Sequence, residues 1–217
     1  MIEVNGLKKV YRTRTVLDLE TLRVEQGGTL ALAGANGSGK TTLLRILAGT
    51  LEPTGGTVKT AAPILYLPQR SYAFRGTVLD NLLLGAKGKD EEALRLMEAA
   101  ELFRLKDKKA SSLSGGELQR LAFCRLLMRP CKLLLLDEPT SACDASGAKL
   151  MLDLLARYRK QTGCTVILST HAPATALTAE RLLILNNGRP EADGDPKEIL
   201  SSPESAWAKA FIAGWEF

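Results

Sequence analysis

The 217-residue sequence predicts an α/β domain built around a mostly parallel sheet. Three observations carry that expectation. Short β-like runs alternate with helical stretches, the rhythm of strand–helix–strand units. Leu133 to Leu136 is a continuous apolar run pinned between Lys132 and Asp137, the pattern of a strand covered on both faces. A glycine-rich segment over residues 34–41 lies between a β-like run and an apolar-faced helix.

Residues 1–33 hold short β-like runs, Leu22-Arg23-Val24 and Thr29 to Ala33 among them, broken by Gly6 and Gly27-Gly28. Leu43, Leu44, Ile46 and Leu47 fall at helical spacing, and Gly49 closes that helix. Ile64 to Leu67 reads as a strand cut off by Pro68. Asp90 to Phe103 and Ser114 to Met128 read as amphipathic helices; the second carries Leu118, Leu121, Ala122 and Leu126 on one face. A helix over residues 146–161 and strands at Thr165 to Ser169 and Leu182 to Leu185 complete the alternation. The helix-rich stretch over residues 70–129 interrupts it and is expected to form its own lobe.

Hydrophobic residues make up 45% and charged residues 24%, the balance of a soluble globular protein. No apolar run approaches the roughly 20 residues of a membrane helix. Met1-Ile2-Glu3-Val4-Asn5 has neither the basic start nor the apolar stretch of a signal peptide, so an intracellular chain is expected. Lysine and arginine number 29 against 24 acids, a net +5. Nucleic acid, a phosphate-rich ligand or an anionic membrane would each suit a positive excess, but the charges are scattered and fit a solvated surface. Cys124, Cys131, Cys143 and Cys164 include no Cys-x-x-Cys pair, and one histidine excludes a zinc constellation. Free thiols in a reducing cytosol are expected.

Gly34-Ala35-Asn36-Gly37-Ser38-Gly39-Lys40-Thr41 fills every position of the P-loop pattern, with Thr42 following. Glycines let the backbone curl until consecutive N–H groups face phosphate oxygens, and the helix that follows aims its positive end at the same anion. Lys40 supplies a mobile charge for the β- and γ-phosphates, and Thr41 a hydroxyl for Mg²⁺. Kinases, GTPases, helicases and transport motors share this loop. The GTPase base-reading pattern Asn-Lys-x-Asp is absent: Asn186-Asn187-Gly188-Arg189 does not meet it.

Leu113-Ser114-Gly115-Gly116-Glu117 narrows the choice. A capping box accounts for Ser114 and Glu117. It leaves unexplained two adjacent glycines at a helix start, where they lower stability unless something approaches the backbone closely. At that end of a helix an anion suits. With Leu118-Gln119-Arg120, this stretch strongly resembles the signature of the ATP-binding-cassette (ABC) ATPases. The resemblance covers nearly the whole chain and implies a P-loop NTPase core with a mostly parallel sheet, an antiparallel β subdomain and an inserted helical signature subdomain. On that division residues 1–69 and 130–217 form the nucleotide-binding core with its β subdomain, residues 70–129 the helical subdomain, and 1–217 a single domain.

The same resemblance implies roles. Tyr11 sits where the family stacks a ring on adenine, and Gln69, after Pro68, matches the glutamine that touches Mg²⁺ and relays to a membrane partner. Asp137 suits a Mg²⁺ contact and Glu138 the base that orients and deprotonates water. His171, in Ser169-Thr170-His171, matches the histidine that holds the γ-phosphate. Ser141-Ala142-Cys143-Asp144 is similar to the D-loop, with Cys143 in place of the more usual leucine; Ala172 stands where the family commonly has an acid. Nucleotide binding would then engage Tyr11, residues 34–42, Gln69, Ser114, Gly115 and Gly116; Thr41, Gln69 and Asp137 would serve the metal; Glu138 and His171 would catalyse.

By resemblance, two copies sandwich two ATP molecules, each P-loop facing Ser114, Gly115 and Gly116 of the other copy. The expected cofactors are ATP and Mg²⁺. The expected partners are a second cassette, integral membrane permease subunits and an extracytoplasmic solute-binding protein, with no nucleic acid, on the cytoplasmic face of the cell membrane. Asp-Lys-Lys-Ala-Ser-Ser before the signature, over Asp107 to Ser112, departs from the Val-Gly-Glu-Arg-Gly-like stretch of many exporters and favours an importer. A free-standing exporter motor is the alternative. A translation or DNA-repair protein is the third reading, disfavoured by the single cassette and by the short span from Lys40 to Ser114. The segment Gln69 to Leu82 and the ending through Phe211 to Gly214 are similar to compact oxyanion importers, tungstate and molybdate in particular. The end at Phe217, with no further regulatory domain, favours the tungstate type; amino acids, metal ions or phosphonates are the rival solutes.

Overall fold

The computed structural model describes residues 1–215; residues 216 and 217, part of the expected span 1–217, lie outside the described residues. The chain opens with two long strands, β1 (Ile2–Tyr11) and β2 (Arg14–Val24), paired antiparallel from Ile2↔Val24 to Tyr11↔Arg14. The sequence shows only short runs here, for a physical reason. Buried positions change phase from Ile2 and Val4 to Leu7, and from Leu17 and Leu19 to Leu22 and Val24, so strict alternation is broken. The hairpin turns through Arg12 at φ 56°, without the Asn-Gly signal that marks such turns.

Strand β3 (Thr29–Ala33) leads through the glycine-rich loop into α1 (Lys40–Leu47). Next come β4 (Gly55–Lys59), which joins β1 antiparallel, and β5 (Ile64–Leu67). The helical stretch holds α2 (Val78–Leu82), α3 (Asp90–Ala99) and α4 (Gly115–Leu127). Helix α3 stops short of the expected Phe103: Ala100 caps it, and Glu101 turns left-handed at φ 56°. A 3-10 turn then takes Phe103–Leu105.

Strand β6 (Leu133–Asp137), α5 (Ala145–Thr162), β7 (Thr165–Ser169), α6 (Pro173–Ala176), β8 (Arg181–Asn186), β9 (Arg189–Gly194), α7 (Pro196–Ser201) and α8 (Ala206–Ala213) follow. Asp144 caps α5, and Gly163 ends it at φ 64°.

Two sheets result. The smaller is antiparallel, in the order β2-β1-β4. The larger runs β5-β6-β7-β3-β8-β9, parallel except for β9. Its central strands alternate between two cores, as a sheet covered on both faces must. Leu30, Leu32, Leu133, Leu135, Ile167, Leu183 and Leu185 face α1 and the small sheet. Ala31, Ala33, Leu134, Leu136, Val166, Leu168, Leu182 and Ile184 face the other way, and Val78, Leu82, Met97, Leu121 and Phe123 from α2–α4 belong to that same cluster. The loops after β3, β6 and β7 therefore open at one edge of the sheet, where open α/β sheets bind ligands.

Candidate functional site

The loop after β3 curls through Gly34, Gly37 and Gly39 at φ 137°, 79° and 108°. A Cβ on Gly34 would meet the Leu185 carbonyl at 2.2 Å and Ser38 Oγ at 2.6 Å, so both space and backbone demand glycine. Gly39 caps α1 with no side-chain acceptor, and Ser38 Oγ is buried without a partner. These are donors left free to meet an anion. Lys40 is 5% exposed; its Nζ donates to the Gly34 carbonyl at 2.7 Å and to the Ala35 carbonyl at 3.1 Å. Burial lowers its pKa, while Glu138 and Asp137 pull the other way. A cleft of about 180 Å³ lies over this loop, lined by Val16, Asn36 to Thr42, Gln69 and Glu138. Val16 is a lining residue that sequence reasoning missed, since nothing marks one valine of β2 as different from its neighbours.

Asp137 ends β6 and is 1% exposed. Ser169 donates to its Oδ1 at 2.6 Å, and the Tyr66 hydroxyl reaches Oδ2 at 3.4 Å. Burial first, and Asp137 second, push the Tyr66 pKa up to about 12. Glu138 comes next at φ 50°, a left-handed conformation that a non-glycine residue holds only when its surroundings insist. They do. Its N–H donates to Ser169 Oγ at 2.9 Å, and its carbonyl accepts from Gln119 Nε2 at 2.8 Å and from Ser141 Oγ at 3.0 Å. Its carboxylate accepts from Gln69 Nε2 at 2.8 Å on one oxygen, and His171 Nε2 lies 2.9 Å from the other. Gln69, Glu138 and His171, separated in sequence, thus meet at one carboxylate.

Ser114 caps α4 with the expected box: its hydroxyl accepts from the Glu117 N–H, and Glu117 Oε2 accepts from the Ser114 N–H at 2.8 Å. A Cβ on Gly116 would meet the Ala142 carbonyl at 3.0 Å, whereas Gly115 has only a 3.8 Å neighbour. One of the two glycines therefore answers to the chain's own backbone. Gln119, quoted in the signature without a role, is the second residue that sequence reasoning missed. It is 2% exposed, donates to the Glu138 carbonyl and accepts from the Ala142 N–H at 2.8 Å, tying α4 to the loop after β6. Its only signal is a polar residue on the buried side of a helix.

Some expected residues stand apart from the cleft. Its lining includes none of Ser114, Gly115 and Gly116, and neither Asp137 nor His171. Tyr11, at the end of β1, is 46% exposed with Lys9 Nζ 5.1 Å from its ring centroid, and also lies outside the lining. Among the described residues no group of three or more His, Cys, Asp or Glu could hold a metal. The oxygen donors here, Thr41 and Gln69 with Asp137 beside them, suit Mg²⁺ shared with phosphates, not a cage built from protein alone.

The ABC transporter family model matches residues 17–141, more than half of the chain. The spermidine/putrescine import ATP-binding protein PotA of Mannheimia succiniciproducens is 34% identical over 98% of this chain and 62% of its own length. PotA of Mycoplasma mycoides is 33% identical over 98% and 66%. The chain thus spans a little under two thirds of these relatives. A dimeric ATP-binding cassette in a post-hydrolysis state, bound to ADP and Pi, superimposes with a TM-score of 0.82 at 26% identity, covering 90% of this chain and 99% of that one. CbiO1 of Clostridium perfringens, part of the ABC transporter complex CbiONQ, gives 0.77 at 25% identity, covering 93% and 90%. Fold, site and family model agree: the chain belongs to the ABC transporter family, as an ATP-binding cassette.

Proposed function

We propose that this chain binds and hydrolyses MgATP as the motor subunit of an ABC importer. The observation that carries the reading is the meeting of Gln69 and His171 on the Glu138 carboxylate, beside a P-loop with unpartnered donors. The loop amides, Ser38 and Lys40 hold the phosphates, and a triphosphate competes with the Gly34 and Ala35 carbonyls for the Lys40 ammonium. Thr41, the amide oxygen of Gln69, and Asp137 would hold Mg²⁺, which would supply positive charge against the phosphates. Glu138 orients a water and takes its proton as the water oxygen attacks the γ-phosphorus; the bond to the β-phosphate oxygen breaks and ADP leaves. His171 steadies the γ-phosphate. Tyr11, exposed at the end of β1, offers a ring to adenine.

Ser114, Gly115 and Gly116 serve the nucleotide of a second copy. Their absence from the cleft lining and the dimeric ADP-bound neighbour support that arrangement. Residues 70–129 form the inserted helical subdomain that passes closure to permease subunits at the inner face of the membrane. No helix among the described residues is long and apolar enough to cross a membrane. A solute-binding protein completes the importer.

The relatives named above import spermidine and putrescine, and none supports the oxyanion expectation drawn from residues 69–82. Their likeness favours an organic polycation as solute. The first test is phosphate release by the purified chain with MgATP: Glu138→Gln retains ATP binding and stalls turnover. Turnover by Glu138→Gln at the unsubstituted rate removes Glu138 as the base. With permease and binding protein in vesicles, ATPase stimulation by spermidine supports the polycation, and stimulation by tungstate restores the oxyanion.

A further inference from the structure

We infer that Trp215 is a positioning residue for His171, an assignment that rests on the ATPase reading above. The Trp215 indole N–H donates to the backbone carbonyl of His171, the residue whose imidazole faces Glu138. Trp215 is 6% exposed, so its indole N–H has no ready substitute in water. Rotation of the 171–172 peptide would break this bond and leave the buried indole N–H without its acceptor. The carbonyl is thereby pinned, and with it the angle at which the imidazole meets the catalytic carboxylate.

The indole is itself held. Trp207, Phe211 and Trp215 follow at four-residue spacing, with ring centroids 5.2 and 5.3 Å apart. Ser205 caps α8 and donates from its hydroxyl to Glu191 Oε1, while Asn186 Nδ2 donates to Glu191 Oε2 at 3.1 Å. Asn186 borders the turn whose Gly188 N–H donates to the Ser38 carbonyl of the P-loop at 3.0 Å. Helix α8 is therefore fastened to two loops of the same site, one beside the phosphate cradle and one at the histidine. The 171–172 peptide is held from both sides: its Ala172 N–H donates to Thr170 Oγ1 at 2.9 Å, and its His171 carbonyl is held by Trp215.

The experiment uses the full chain, whose two tryptophans are Trp207 and Trp215. Trp215→Phe keeps an aromatic ring and removes the N–H; Trp207→Phe makes the same exchange on the same stack, away from His171. Trp215→Phe is expected to lower kcat about tenfold with KM for ATP nearly unchanged, because the histidine acts on the γ-phosphate in the transition state. Trp207→Phe should keep both constants. In Trp207→Phe, Trp215 is the sole emitter, and its fluorescence should shift with MgATP but not MgADP, a shift that His171→Ala abolishes. Equal kcat for the two tryptophan variants, or Trp215 emission indifferent to MgATP, overturns the assignment. Absence of phosphate release by the unsubstituted chain would sink the ATPase reading alone. The emission arm needs binding and no turnover, so it still decides the role of Trp215, as it does if Trp215→Phe fails to fold.

Discussion

Gln119→Leu tests whether the geometry of Glu138 is imposed from the signature helix. The exchange roughly preserves volume and deletes the two short hydrogen bonds of Gln119, to the Glu138 carbonyl and from the Ala142 N–H, each 2.8 Å long, with longer contacts to Ser141 Oγ and from Cys143 Sγ. They do not count equally. The Glu138 carbonyl keeps the Ser141 N–H at 3.2 Å and the Ser141 hydroxyl at 3.0 Å, whereas the Ala142 N–H loses its acceptor next to a leucine. A fully buried orphaned donor costs about 1–3 kcal/mol; the Ala142 N–H is part-buried, so the low end applies. Taking about 1 kcal/mol, a domain of this size melts roughly 2–4 °C lower.

A second effect falls on chemistry. Glu138 holds φ 50°, a conformation that costs a non-glycine residue about 1–3 kcal/mol and persists only while its surroundings over-determine it. Removing one of those restraints lets the backbone relax and swings the carboxylate; a misplacement of about 1 Å lowers kcat up to roughly 100-fold. Thermal melts by circular dichroism and phosphate release at saturating MgATP measure the two effects separately. A melting point within about 1 °C of the unsubstituted chain, with unchanged kcat, would refute the reasoning.

Three other outcomes are expected. Lys40→Met should abolish the rise in melting temperature that MgATP produces without lowering the melting temperature of the chain alone: burial disfavours the charged lysine in the fold, a penalty present below the unfolded lysine pKa and gone above it. An undiminished MgATP shift in a thermal melt would remove Lys40 from phosphate binding. Glu138→Gln should sediment as a dimer with ATP and a monomer with ADP, and adding Ser114→Arg should return it to monomer; equal mass with both nucleotides counts against the two-copy site. Glu117 has its pKa lowered by the Ser114 N–H and hydroxyl, so its contribution exists above its unfolded pKa and is lost as pH falls through the lower folded value. The stability gap between the unsubstituted chain and Glu117→Gln should be small, present above about pH 5, and close below about pH 4; a gap that widens in acid would contradict the capping box.

The parts of the fold legible in the sequence are those whose pattern is set by covering. Strands β6 and β7 are buried on both faces, so Leu133 to Leu136 and Thr165 to Ser169 announce themselves as continuous apolar runs. The parts that were not legible lack such a constraint. Strand β4 is a glycine-rich edge, Gly55-Gly56-Thr57-Val58-Lys59, and β9 begins Arg189-Pro190; both are strands because a neighbour offers backbone partners, not because their side chains ask for it. The length of β1 and β2 was hidden by a change of phase in their buried residues, and their turn by Arg12, which takes a conformation that sequence assigns to glycine or asparagine.

Legibility of the site follows the same division between local and assembled features. The P-loop is local: its glycines, Lys40 and Thr41 are contiguous, and the positive φ values at Gly34, Gly37 and Gly39 are what the pattern requires. The cluster at Glu138 is assembled from loops that only the sheet order brings together, so Gln69 and His171 could be given roles by resemblance while Gln119, Val16 and Trp215 could not. Each of those three does its work through a contact with the backbone or by lining a wall, and neither demands a particular residue type in sequence. The solute is the extreme case. Every group converging here suits a triphosphate. None of these groups reads a solute, so residues 69–82 could suggest an oxyanion while the PotA relatives carry the name of spermidine/putrescine import proteins.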